Sequence, residues 1–327
     1  MDNNPVSANS VGKSYRVDGS QLAKHYKNHL SNYYDWDQFD HAGEWVLYAE
    51  NIGERLCLDE IALSDGELYT VLTNAKSRCQ KGSLIAMIQG VKSSIICEIL
   101  NKIPLGERKK VKEISVDMAN NMEKIARDSF PNASIVTDRF HVAKLISEAV
   151  QEIRIKYRWE AIALENDKVK EAKAKREKYI SPTFENGDTR KQLLARSRYL
   201  LFKPKKKWTE SQAIRAEILF KEYPDILHAY NLSMMFRRIY ETSRSIQEAE
   251  EYFDNWFEKI KQYDFPCFVT AAESIKNHKE TILNFFVNRT TNALAESFNS
   301  KIKAFRNIFR GVKDIPFFIF RVTKIFA

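Results

Sequence analysis

Residues 55–63 read Arg55-Leu-Cys-Leu-Asp-Glu-Ile-Ala-Leu63, an apolar run broken near its centre by two carboxylates. A short aliphatic run of this length, followed by turn residues, predicts a strand. On a two-residue period Cys57, Asp59 and Ile61 share one face, while Leu58 and Glu60 share the other. Asp59 is therefore expected to point into a packed, dry layer, where an ionised carboxylate is costly without a compensating partner. A strand gains no stability from such a residue, which makes Asp59 a candidate for chemistry.

Downstream, residues 68–73 and 84–88 repeat the strand pattern, with Gly66 and Gly82 at the connections. Three strands joined by short turns predict an antiparallel meander. A helix over 92–103 leads past Pro104 and Gly106 to a fourth strand over 111–117, closed by Asp117. A second helix over 119–130 leads through Pro131 to a fifth strand over 133–138, closed by Asp138. The order βββαβαβ predicts an α/β fold with a mixed five-stranded sheet, its last two strands parallel to the first. Asp117 then lies at the C-terminal edge of its strand, where open α/β sheets hold ligands.

The flanks differ in character. From His141 to about residue 286 the sequence is helical, with breaks near Pro182, Gly187, Pro204 and Pro224. Its Lys/Glu/Ala-rich stretch over 160–179 is too polar to bury and reads as a solvated helix or a mobile arm. A last helix over 288–305 is followed by Gly311 and an apolar tail, 315–326, expected to dock on the sheet. Residues 1–20 read as a loosely held tail; beyond them Leu22, His25, Leu30, Tyr33 and Tyr34 lie close to a helical stripe, either a packing arm or half of a small DNA-binding unit. Four segments follow: 1–50 as tail and short helical arm, 51–148 as the first part of a catalytic domain, 149–286 as an all-helical insertion, and 287–327 as the domain's closing part.

Composition narrows the function classes. The chain has 327 residues, 44% hydrophobic and 29% charged, which excludes a mainly disordered protein. No stretch approaches the roughly 20 apolar residues of a membrane span, and the first residues lack a signal-peptide layout. An intracellular protein with no membrane partner is expected. Cys57, Cys79, Cys97 and Cys267 form no C-x-x-C pair, so neither a zinc knuckle nor a disulfide framework is indicated. A net charge of +9 suits a polyanion partner without specifying one.

The last helix supplies a third carboxylate. Leu294, Phe298, Ile302 and Phe305 form an apolar stripe, and Asn292, Glu296, Asn299 and Lys303 fall on a separate polar one. That polar stripe is either a solvated face or part of a site. Two aspartates and a glutamate on adjoining elements suit hard cations such as Mg²⁺, which take oxygen ligands and act on phosphates. There is no G-x-S-x-G elbow, no Gly-rich phosphate loop, no H-E-x-x-H helix and no Cys-His pair to support a rival chemistry.

At these residues the chain resembles the DDE transposases of bacterial insertion sequences, most closely the ISL-three family, whose catalytic domain is RNase H-like. The resemblance runs from about residue 55 to the C-terminus. It is carried by Leu58-Asp59-Glu60, by Val116-Asp117-Met118, by the block from Phe130-Pro131-Asn132-Ala133 to Asp138-Arg-Phe-His141, and by Asn292-Ala-Leu-Ala-Glu296-Ser-Phe-Asn299-Ser-Lys301-Ile-Lys303. It implies Asp59, Asp117 and Glu296 as catalytic and metal-binding residues, Mg²⁺ or Mn²⁺ as cofactor, and DNA cleavage followed by strand transfer at transposon ends. Asp138 is the competing second aspartate; with His141 it either shapes the site and grips DNA or forms a structural salt bridge or cap, and Asn299 is a further supporting residue. Ser297 departs from the glycine that often follows the family's glutamate.

The same resemblance implies double-stranded DNA as partner, both ends and target, a homo-oligomer on that DNA, and a place in the bacterial cytoplasm at the nucleoid. Relatives carry a zinc-binding and helix-turn-helix portion that this chain, beginning some fifty residues before its first strand, is expected to lack. End recognition would then fall to residues 20–50, to the insertion, or to a separate DNA-binding chain. Lys301, Lys303 and Arg306 are candidates for DNA phosphate contact. The Lys109-Lys110 and Lys203–Lys207 clusters are candidates too, or simply solvated charge, and Trp208 either stacks on a base or belongs to a core. Two rival functions use the same residues or none: an RNase H-like nuclease that cuts without joining, and an inactive remnant that only binds DNA.

Overall fold

The computed structural model describes every residue except 64–65, 290–292 and 310–311, together with the side chains of 293 and 294. The chain divides into two compact units, Met1–Arg139 with Asn288–Ala327, and Phe140–Val287.

The first unit is built on a mixed sheet of six strands: β1 (Trp45–Leu47), β2 (Arg55–Ala62), β3 (Leu68–Asn74), β4 (Leu84–Gln89), β5 (Glu113–Val116) and β6 (Ser134–Thr137), in the spatial order β1-β4-β3-β2-β5-β6. The five expected strands are all present. β2, β3 and β4 form the antiparallel meander, and β5 and β6 join parallel to β2 and to one another. The unexpected sixth, β1, is three residues long and pairs antiparallel with β4. A run that short shows no two-residue alternation to read in sequence.

Apolar layers cover both faces of this sheet. On one, Leu56, Leu58, Ile114 and Ile135 pack with Ile96, Ile99, Met122 and Ile125 of helices that connect the strands. On the other, Ile61, Tyr69, Val71 and Met87 meet Phe298, Ile302 and Phe305, then Phe318, Ile319 and Val322 from the C-terminal tail. In chain order the unit's helices are α1 (Ala8–Tyr15), α2 (Gly19–His25), α3 (Ser93–Leu100), α4 (Leu105–Arg108) and α5 (Asn120–Ser129). The tail itself is a helix, Ile315–Phe326, capped by Asp314 and docked on the sheet as its apolar composition predicts.

The first twenty residues correct the expectation of a loose tail. Ser7 caps α1 by accepting from the Ser10 amide, and Asp18 caps α2 through the Gln21 amide. Gly12 and Gly19 let the two helices touch, since a Cβ on Gly19 would lie 2.6 Å from the Asn9 Cα. Arg321, 1% exposed, donates to the carbonyl of Met1 at 2.7 Å and so fastens the N-terminus to the unit. Caps and glycine contacts of this kind lack the apolar period by which a helix is recognised.

The second unit is helical: α6 (Arg139–Ala174), α7 (Arg190–Arg196), α8 (Glu210–Glu222), α9 (Pro224–Thr242), α10 (Ile246–Tyr263), α11 (Pro266–Asn277), α12 (Lys279–Leu283) and α13 (Phe285–Asn288), of which α6 begins and α13 ends one residue inside the first unit. Residues 160–174 thus continue one long helix. Phe236, Phe253 and Trp256 form an aromatic core in which the Trp256 indole donates to the Leu232 carbonyl. Asp188, fully buried, is held by Arg196 and Arg215. Trp208 is resolved as a packing residue, its indole donating to the Leu200 carbonyl at 2.8 Å and its ring against Tyr230. Among the described residues no helix is long and apolar enough to cross a membrane.

Candidate active site

The sheet register aligns the aspartates. Cys57 is level with Ser115 across β2 and β5, and Ser115 with Val136 across β5 and β6. Two residues further on come Asp59 within β2, and Asp117 and Asp138 one residue past the ends of β5 and β6. The Asp138 amide donates to the Val116 carbonyl at 2.7 Å, so the register persists past the last paired residues. Neighbouring strands are about 5 Å apart, so the three aspartates form a row at the C-terminal edge of β2, β5 and β6.

The first closing helix, α14 (Ala293–Ile308), lies over β2 on the face of Cys57 and Asp59, and α15 is the tail helix Ile315–Phe326. Phe298, Ile302 and Phe305 are buried as the apolar stripe predicts. Glu296 is half-buried in its first turn. Asn299 follows Glu296 by three residues, on the same side of the helix, and is only 8% exposed. Its amide donates to Asp59 Oδ2 at 2.8 Å and lies 3.5 Å from the Glu60 carbonyl. The polar stripe is therefore not a solvated face at Asn299. Asn292 lies outside the described residues.

Asp59 is half-buried rather than enclosed in a dry layer, and its other oxygen accepts from the Glu60 amide at 2.8 Å. Asp117 Oδ1 accepts from the Ala119 amide at 2.9 Å, tying the carboxylate to the turn that starts α5. Asp138 is buried at the end of β6, and His141 is half-buried in the first turn of α6. Burial, and after it the charges of Asp138 and Asp59, push the Cys57 thiol up to about 12. This buried thiol is neutral at pH 7.

Two further polar residues, Glu60 and Asn121, lie beside Asp117. Glu60 lies on the opposite face from Asp59, half-buried; burial and the Asp117 charge raise its pKa while the Asn121 side chain lowers it. Alternation places Glu60 on that face, but Asn121 lies on a helix whose polar side has no recognisable pattern. The basic residues after Glu296 divide. Lys301 donates to the Cys79 carbonyl at 2.8 Å and Arg306 to the Ala62 carbonyl at 3.1 Å, whereas Lys303 is exposed.

The available donors are oxygens, which fit a hard divalent cation in kind. Among the described residues, however, no three His, Cys, Asp or Glu side chains converge on one ion position. Each Asp59 oxygen accepts from one protein donor and keeps a second lone pair with which it can meet a cation.

The model of the ISL-three family of DDE transposases, described as transposase, matches residues 56–322. The chain belongs to that family. The match takes in β2, the row of aspartates, the helical unit and α14. The chain is 23% identical over 275 residues to the transposase for insertion sequence element IS1001 of Bordetella parapertussis, covering 84% of this chain and 61% of that protein. It is 24% identical over 261 residues to the transposase for IS1557 of Mycobacterium tuberculosis, covering 80% of this chain and 57% of that one. The chain thus spans about three fifths of the length of these relatives.

Proposed function

We propose that this transposase-family chain cleaves DNA at the ends of an insertion sequence and joins them to a target, with Asp59, Asp117 and Glu296 as its catalytic carboxylates. The observation that carries the reading is the alignment of Asp59 and Asp117 by the sheet register, with Asn299 linking α14 to Asp59 at 2.8 Å. In this reading Asp59, Asp117 and Glu296 hold Mg²⁺ or Mn²⁺, which would polarise the phosphodiester and activate the attacking oxygen.

The chain's own groups have distinct tasks. The Glu60 amide and the Asn299 side chain fix the Asp59 carboxylate, and the Ala119 amide fixes Asp117. Preorganised carboxylates need no rearrangement as charge builds on the phosphate. Cys57 remains protonated beneath them. Asp138 and His141 support the site or its grip on DNA. Lys303 meets a phosphate directly; Lys301 and Arg306 do so only by giving up their carbonyl partners. Water attacks one phosphodiester and frees a 3′-hydroxyl; that hydroxyl then attacks a target phosphodiester, so each step makes one P–O bond and breaks one. No covalent protein intermediate is required.

The partner is double-stranded DNA in the bacterial cytoplasm, at the nucleoid. A homo-oligomer pairs two ends, and a separate DNA-binding chain assists end recognition. The test is incubation of the protein with labelled terminal-repeat DNA and a target plasmid, with Mg²⁺ or Mn²⁺. Joined products support the proposal, cut ends without joining make the protein a nuclease, and inert DNA under every condition leaves only a binding role.

A further inference from the structure

The helical unit carries a cluster of like charges that no acid neutralises. Arg154 on α6 is 5% exposed, its guanidinium held by Gln151 at 2.6 Å and by the Leu194 carbonyl at 2.9 Å. Burial, and after it the charges of Arg158 and Arg198, lower its pKa to about 10. Those two arginines are exposed, and the Gln151 amide donates to the Arg198 carbonyl at 3.4 Å, so α6 and the Arg198 segment are joined there. Among the described residues none of the three forms an ion pair, although Glu152 and Glu160 lie on the same helix.

The charge continues along the chain. Between Asp188 and Glu210 there is no acidic residue, and Arg198, Lys203, Lys205, Lys206 and Lys207 enter no ion pair among the described residues. Large aromatic surface accompanies it. Trp159, one turn from the exposed Ile155, is 64% exposed; Tyr199 is also 64% exposed, with the Arg198 guanidinium 5.5 Å above its ring. Three converging guanidinium groups repel one another and are costly to hold together unless an anion meets them. Exposed tryptophan beside arginine suits a partner that offers both phosphates and flat bases.

We propose that the Arg158–Trp159 and Arg198–Tyr199 surface of the helical unit is a second DNA contact, binding phosphates through the arginines and an unpaired base next to a duplex through the aromatic rings. The inference rests on the transposase reading for its choice of DNA, and it concerns residues of the helical unit alone.

Fluorescence anisotropy of the full chain tests it. Labelled duplex, blunt or with a short single-stranded extension, is titrated at several salt concentrations with wild type, the double variant Arg158→Ala/Arg198→Ala and Trp159→Ala. The double variant is expected to bind both DNAs roughly tenfold or more weakly, with a log–log salt slope smaller by about two. Trp159→Ala is expected to lose roughly tenfold on the extended duplex alone. Wild-type affinity and salt slope in both surface variants would overturn the proposal. DNA joining by these unaffected variants would sink this surface and leave the transposase reading standing; surface-dependent binding without any cleavage would do the reverse.

Discussion

Replacing Asn299 by aspartate isolates the contact that ties α14 to the row of aspartates. The exchange is nearly isosteric, but it removes the amide donor 2.8 Å from Asp59 Oδ2 and sets a second carboxylate in its place. A hydrogen bond to a charged group is worth about 1.5–3 kcal/mol. Two like charges about 4 Å apart repel by about 1 kcal/mol in water and about 4 kcal/mol at the effective dielectric of a protein surface. Protonating one carboxyl caps that repulsion. Lifting its pKa from about 3.9 to 7 costs about 4 kcal/mol at about 1.4 per unit, and the proton restores a hydrogen bond between the pair. The expected penalty at pH 7 is therefore about 2–4 kcal/mol. Its sign with pH is fixed: a carboxyl whose folded pKa is raised leaves stability intact below the unfolded value near 3.9 and loses it as pH rises through the folded one. Urea unfolding followed by tryptophan fluorescence is expected to show a midpoint lower than wild type by roughly 1 M at pH 7, with the gap closing toward pH 4. Millimolar Mg²⁺ should raise the variant's midpoint more than that of wild type. A variant as stable as wild type at pH 7, or a deficit that does not change with pH, would refute the role given to this contact.

Phe298→Ala empties a 1% exposed site against Phe326 and should cost about 3–5 kcal/mol, loosening α14; hydrogen exchange in residues 293–308 at wild-type rates would contradict it. Asp188→Ala leaves Arg215 facing a buried gap and should destabilise the helical unit by about 3–5 kcal/mol, read by thermal unfolding. Burial opposes the charged form of Asp188, but Arg215 and Arg196 outweigh it and depress the pKa; its contribution is thus present above the unfolded value near 3.9 and lost as pH falls through the folded one. Cys57 should resist thiol reagents in the native protein at pH 8 and react only after unfolding, because its thiol is buried and raised to about 12. Lys303→Ala should weaken DNA binding and reduce the salt slope by about one, measured by anisotropy.

Much of this architecture is legible in the chain because burial imposes a period. β2 declares its two faces through Cys57-Asp59-Ile61 and Leu58-Glu60, and the apolar tail declares its docking on the sheet. The row of aspartates is half legible: each strand-end carboxylate can be read, but only the register between β2, β5 and β6 shows that they stand level. The Asn299 link was not legible as a contact, since a polar residue on an amphipathic helix looks alike whether it faces water or a carboxylate. Helices α1 and α2 are hidden for a related reason, being defined by Ser7 and Asp18 caps rather than by an apolar stripe. The Arg154 cluster joins α6 to residues far along the chain, and no local pattern encodes that meeting.

The central claim is the catalytic set, and strand-transfer assays of single carboxylate variants on labelled terminal-repeat DNA, with Mg²⁺ or Mn²⁺, test it most directly. Asp59→Asn, Asp117→Asn and Glu296→Gln should each abolish joined products while the proteins remain folded and bind DNA, and Asp138→Asn should retain part of the activity. Joining at wild-type rates by any of the first three variants would contradict the account.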